Sequence, residues 1–267
     1  MWNPWGRQAM EMRLIHIYPD LMNLYGSYAN VLVLQQFLED MGYEVTVEKL
    51  EPGEERVGRR GDLFYMGAGT EHSARAAMGY LEEGGLSGWL KEAARDGAVL
   101  FFAGTAMELL GREIRERDGT VYQGLGLADF ITEHVEKRMV GDVYGHTVLC
   151  PEAVVGFMNK SARIKGVGTP LLCDLELGWG NETYLSPEGF HQGNLFASEL
   201  TGPLLVKNPH LLEVVVAAIC ARQGQKLPED RTRDSLAWEA YRATAARLQG
   251  RLWQKPGFPG MGAHSLM

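Results

Sequence analysis

The stretch "VLFFAGTAMELLG", from Val99 to Gly111, sets four apolar residues against a corner of small ones, Ala103-Gly104-Thr105-Ala106, and then runs into a helix-like "MELLG". Apolar residues bounded by such a corner predict a buried strand over 98–104. A strand that passes through a tight small-residue corner into a helix is where many α/β enzymes mount a nucleophile. Neither Cys nor Ser stands in this corner. The mounting is there without the group it usually carries.

Upstream, the chain alternates strand and helix signals. "RLIHIY" (13–18) reads as a short buried strand, and 31–42 carries a helical apolar stripe ended by Gly42. "YEVTVEKL" (43–50) alternates and is β-branched, "DLFYMGAG" (62–69) is a third strand, and two helical stretches (70–83 and 86–97) lead to the strand at 98–104. This order predicts an α/β fold, a mostly parallel sheet with helices on both faces. After about residue 120 the strands come with short connections and suggest hairpins or an antiparallel extension of the sheet. Helices are expected at 208–224, with Pro209 near the start and Gly224 past the end, and at 234–254. The tail from 255 reads as frayed, and "MWNPWGRQAMEM", with Trp2 and Trp5, reads as a loose leader or a packed one.

Composition narrows the function classes. The chain has 267 residues, 45% hydrophobic and 22% charged, as in ordinary globular proteins, and a formal net charge of -8. With no long basic run, a nucleic-acid or anionic-membrane surface is not expected. No segment approaches the roughly 18 consecutive apolar residues of a membrane span. Cys150, Cys173 and Cys220 are odd in number, far apart and set among apolar neighbours, which predicts reduced thiols packed in a core and a cytoplasmic protein. No pair of these cysteines has metal-ligand spacing, so no metal site is expected, and no cofactor.

Ligands of such sheets sit at the carboxyl ends of the strands. Four loops are candidates there: "YPDLMNLYG" (18–26), "GAGTE" (67–71), "GTAME" (104–108) and "SELTGPLL" (198–205). Each alone reads first as a turn in which Gly supplies unusual dihedrals and Asp or Asn caps a helix. "GAGTE" lacks the Lys and spacing of a P-loop. Together with Asn30, "LLG" (109–111), "GLGLADFITE" (124–133), "KRMVGDV" (137–143), "VVGF" (154–157), "GWGN" (178–181) and "TGPLLVKN" (201–208), they carry a resemblance. In order and spacing from about residue 13 to 224 the chain resembles the glutaminase subunit of lipid II isoglutaminyl synthase, a cobyric-acid-synthase-like class I glutamine amidotransferase. That resemblance implies a three-layer, flavodoxin-like domain over 13–224, with a C-terminal helix and tail over 225–267. It also implies a heterodimer with a Mur-ligase-like, ATP-dependent synthetase, the pair amidating D-glutamate of the peptidoglycan stem peptide.

The resemblance fails where the chemistry sits. The family corner reads Cys-Gly-Gly-Tyr-Gln-x-Leu-Gly and its His lies in Tyr-Leu-His-Gly-Pro. Alignment on "LLG" and "GPLL" puts the Cys position at Gly104, the Gln position at Glu108 and the His position at Thr201. The family's Gly-Phe-Glu-Asn-His-Gly-Gly-Arg-Thr appears as "GFMNKSARI" (156–164), with Asn159 kept. Glutamine hydrolysis needs a thiolate, a His to relay the proton, and donors facing the oxyanion. Thr105 beside the corner has no identifiable base, and His191 reads as a surface residue on a loop.

No catalytic residue is therefore expected. Arg138, Asp20, Gly67 and Gly69 remain as substrate-binding positions, Arg138 matching the one expected to hold the glutamine carboxylate or else standing as an exposed strand-end Arg. The reading is a degenerate, non-hydrolysing homologue that binds or regulates the synthetase. The alternatives are an active amidotransferase with a relocated mechanism, or a sensor binding glutamine or a related amino acid.

Overall fold

The computed structural model describes residues 10–53, 60–228 and 235–252; the leader Trp residues and the tail from 255 lie outside them. The main sheet is built from β1 (Glu11–Ile17), β2 (Glu44–Leu50), β3 (Leu63–Met66), β4 (Val99–Ala103), β10 (Phe190–Gln192) and β11 (Leu195–Ser198). Its order is β10-β11-β4-β3-β1-β2, and only β10 runs antiparallel to its neighbour. All residues of β3 and β4 are buried, as expected for central strands covered on both faces.

Strand alternation sends side chains to two cores. Phe64, Met66, Leu100 and Phe102 meet α2 (Glu71–Glu83) and α3 (Leu86–Arg95) through Ala77, Leu81, Trp89 and Leu90. Leu63, Tyr65, Val99 and Phe101 meet α1 (Ala29–Asp40) and α5 (Pro209–Arg222) through Leu34, Leu38, Val215 and Ile219. The fold is thus the expected three-layer α/β arrangement. A short helix, α4 (Leu204–Lys207), joins the late loop to α5.

Two elements differ from the sequence reading. First, the run after the corner is no α-helix: Gly104–Leu110 is a 3-10 turn. The carbonyls at and just past its end, which a continuing helix would need, are already taken: Leu109 O, Leu110 O and Gly111 O accept from Leu125, Leu127 and Gly126 N–H at 2.7, 2.9 and 2.9 Å. The "GLGLADF" loop thus closes over the turn and replaces the bonds a helix would make. Second, most of the late strands form a sheet of their own. In it β5 (Glu113–Arg115), β6 (Val121–Gln123), β7 (Ile131–His146), β8 (Val154–Lys165) and β9 (Asp174–Leu177) pair mainly antiparallel, with β5 parallel to β7. Only β10 and β11 extend the main sheet, and β11 lies parallel to β4. Helix α6 (Leu236–Leu252) packs Trp238, Tyr241 and Leu248 on Tyr144, Ala153 and Val155 of this second sheet.

The cysteines also divide. Cys220 is buried in the α5 core, whereas Cys150 is half-buried and Cys173 exposed. Leu171, Leu172 and Leu175 face inward around Cys173, so its apolar neighbours did not carry it inside. No helix among the described residues is long and apolar enough to cross a membrane.

Candidate functional site

The carboxyl ends of β3, β4 and β11 open on a cleft of about 350 Å³, closed on its far side by β7 and β8. Its floor is the corner that opened the sequence reading. Gly104 takes φ 63, the left-handed conformation in which other residues are strained. A Cβ at this position would lie 2.5 Å from Ala68 Cβ, so Gly is required on grounds of space as well.

Ala68 belongs to "GAGTE", whose Thr70 caps α2 by accepting the Ser73 N–H at 3.0 Å. The two loops are laced together. The Thr105 hydroxyl accepts the Gly69 N–H at 2.8 Å and donates to Gly69 O at 3.0 Å. A backbone N–H that could have faced a developing oxyanion is therefore already engaged.

Three layers of charge surround this floor. Glu108, 3% exposed, meets His134 Nε2 at 2.7 Å, and His134 Nδ1 meets Glu116 at 2.9 Å, with Arg75 paired to Glu116 beyond. On the β8 side, Lys160 pairs with Glu199 and donates to Asn181 O at 3.0 Å; both charged side chains are buried. Behind them Glu188 accepts the Glu199 N–H at 2.7 Å and the Ser198 hydroxyl at 3.0 Å. At the mouth, Arg138 donates to Asn159 at 2.8 Å, and Asn159 donates to the Tyr25 hydroxyl at 2.7 Å. Tyr25 itself is held at φ 59. Glu71 pairs with the Ser161 hydroxyl and stands 3.6 Å from Arg138.

Burial opposes charge on His134, but the hydrogen bonds and charges of Glu108 and Glu116 outweigh it and lift its pKa to about 9. Burial pushes Glu188 up to about 7, against the Glu199 N–H, the Lys160 charge and the Ser198 hydroxyl. A His whose folded pKa lies above its unfolded value stabilises fully below about 6.5, and that contribution fades as pH rises towards 9. The lost stability is on the order of 3 kcal/mol. Urea midpoints should fall between pH 6.5 and 9, and His134→Gln should flatten that slope; an equal slope in the variant would place the titration elsewhere.

Of the positions expected from sequence, Gly69, Gly104, Arg138 and Thr201 line this cleft. Thr201 is turned away from chemistry: its N–H and hydroxyl both donate to Phe157 O, at 2.7 and 2.9 Å. Gly67 sits just behind, where a Cβ would come within 2.6 Å of Met22 O. Asp20 is not brought in. It is exposed after β1, and its backbone N–H donates to Glu51 at 3.2 Å. The loop folds back at Tyr18 (φ 50) and presents Leu24 and Tyr25 to the cleft instead.

His191 lies on β10 rather than on a loop, half-buried beside the Phe196 ring at 4.6 Å and outside the cleft lining. None of the three cysteines lines the cleft. The sequence reading missed Lys160 as a buried charge. Its signal was present, since the period of two in "MNKSARI" puts Lys160 in step with Met158, Ala162 and Ile164, all buried.

With the geometry in hand, the relatives agree on the frame. The CobB/CobQ-like glutamine amidotransferase domain matches residues 13–209. The GatD subunit of lipid II isoglutaminyl synthase (glutamine-hydrolyzing) from Staphylococcus aureus is 30% identical over 215 residues, which cover 80% of this chain and 86% of that protein. The subunit of the same name from Streptococcus pneumoniae is 28% identical over 240 residues, 88% of this chain and 90% of its own. Among solved structures, a crystal structure of glutamine amidotransferase superposes with a TM-score of 0.51 at 15% identity, covering 77% of this chain and 98% of its own, a likeness of fold. A sheet that delivers its loops to one cleft, matched across most of its length by these sequences, makes the chain a member of the CobB/CobQ-like glutamine amidotransferase family.

Proposed function

We propose that this chain is a non-hydrolysing glutaminase-like subunit that binds and supports a Mur-ligase-like synthetase in lipid II amidation. The observation that carries the reading is the corner itself: Gly104, with no side chain, stands at the strand end where a nucleophile belongs, and a Cβ there would lie 2.5 Å from Ala68 Cβ. The engaged Gly69 N–H and the Thr201 hydroxyl turned to Phe157 O support it, because they leave neither an open oxyanion donor at Gly69 nor an imidazole at 201. Thr105 is an alcohol hydrogen-bonded on both sides to Gly69, and neither bond is to a base that could activate it. Arg138, Gly67 and Gly69 remain ligand-binding positions in this reading, and a cytoplasmic location follows from the synthetase's need for ATP. Asp20, away from the cleft, drops out.

A second reading has one observation in its favour: both curated relatives are named as glutamine-hydrolyzing. A glutaminase assay on the chain together with its co-purified synthetase separates the two. Glutamate release should stay about a thousandfold or more below that of an intact glutaminase subunit, since removing a nucleophile costs orders of magnitude in rate. Release at an enzyme-like rate, abolished by Thr105→Ala, would establish a relocated mechanism instead.

A further inference from the structure

The inner end of the cleft is too well organised for a site in decay. Lys160 and Glu199 are 4% and 2% exposed, and two charges withdrawn from water cost several kcal/mol each unless they are answered. Lys160 is answered twice, by Glu199 Oε2 and by Asn181 O. Glu199 is answered on one side only. Its other oxygen, Oε1, is buried on a residue lining the cleft and has no hydrogen-bond partner among the described residues. Glu108, at the same end, is held by His134.

At this end Glu108 and Glu199 line the cleft with Glu188 behind them, answered by His134 and Lys160. Burial pushes Glu199 upward, with the Lys160 ammonium pulling against it and Glu108 and Glu188 adding to it, so a further cation at Oε1 would favour its ionised form. At the mouth, Arg138 is half-exposed; one guanidinium nitrogen donates to Asn159 and another stands 3.6 Å from Glu71, which leaves N–H donors for a further anion.

We propose that the inner end of the cleft, at Glu199 Oε1 beside Glu108, is a subsite for the protonated amine of a small ω-amino acid whose carboxylate meets Arg138. This rests on the non-hydrolysing reading, because it assigns to an ammonium the place where a scissile amide would otherwise lie. An ammonium donates to Oε1 and holds the carboxylate in its ionised form. A primary amide could donate there too, but its oxygen would find the Gly69 N–H already given to Thr105. A second carboxylate would face Glu199 and Glu108 and be repelled.

Three probes of equal length test this by calorimetry on the full chain: 5-aminopentanoate, glutaric acid monoamide and glutarate. All present one carboxylate; they differ only in the inner group. The expected result is that 5-aminopentanoate binds about tenfold or more tighter than the other two, the scale of one charge-assisted hydrogen bond. Glu199→Gln should remove that preference. Because this single change leaves Lys160 unpaired, the paired variant Lys160→Met/Glu199→Leu serves as a folded control, its integrity checked by thermal melt. It too should lose amine binding.

No heat with 5-aminopentanoate, equal binding of the monoamide, or retained amine binding in the paired variant would each overturn the subsite. Failure here leaves glutamate release at background, whereas failure of the non-hydrolysing reading shows as glutamate release, so the two are told apart.

Discussion

Lys160→Met alone should destabilise the fold by about 3–5 kcal/mol, while Lys160→Met combined with Glu199→Leu should fall within about 1 kcal/mol of the parent. The asymmetry follows from where the pair sits. Lys160 and Glu199 reach each other from β8 and from the end of β11, both in the protein interior. Removing the ammonium leaves a buried carboxylate whose Oε1 already lacks a partner. Removing both replaces two desolvated charges with apolar volume next to Met158 and Leu200, which pair across the same junction.

The single variant has a pH signature as well. Glu199, pushed up by burial, escapes its penalty by taking a proton, so the loss should shrink at acid pH and grow towards pH 9. Urea unfolding at two pH values measures all of this. A single-variant loss below about 1 kcal/mol, or losses that simply add in the pair, would mean that the two charges are not coupled.

Gly104→Cys, the change that returns a thiol to the corner, should cost about 2–4 kcal/mol. Part of that is a left-handed backbone at φ 63, of order 1 kcal/mol or more, and part is overpacking against Ala68, where the new Cβ would sit 2.5 Å from an existing one. Ala68→Gly removes the second part. The paired variant should therefore be more stable than Gly104→Cys alone by about 1–2 kcal/mol, a coupling that two independent sites would not show.

Neither variant should release glutamate. A thiol there would still find Thr105 holding the Gly69 N–H and no imidazole at 201. Unfolding curves and the glutaminase assay read the two halves separately. A stable, undistorted Gly104→Cys protein would mean that Ala68 leaves more room than its Cβ position allows.

The framework was legible because its signals are local. Each of the first strands and helices is written in a run of apolar residues with its own period, bounded by Gly or a cap. "GAGTE" and the corner at 103–106 are recognisable as strand ends for the same reason. The 3-10 turn at Gly104–Leu110 was read as helical because what prevents a helix is a loop arriving from residues 124–128. The late strands pair mainly antiparallel as their short connections suggest, but which sheet they join was hidden on similar grounds. β7 and β8 announce strands, but nothing in their pattern says whether their partner is β4 or each other.

The site divides along the same line. Gly69, Gly104, Arg138 and Thr201 could be found by sequence and do converge, and Asp20 could be found but does not, since Tyr18 turns its loop another way. His134, Lys160, Glu199 and the partner of Glu108 had to wait for the fold. Lys160 lies 39 residues from Glu199, and Glu108 lies 26 from His134. By itself the sequence determined the alternating layers, the corner and the lack of sulfur and imidazole at 104 and 201, because propensity and side-chain identity are properties of residues. Only the tertiary structure decided which buried charges answer one another and which oxygen is left over, because electrostatic pairing depends on distance across the dry interior and not along the chain.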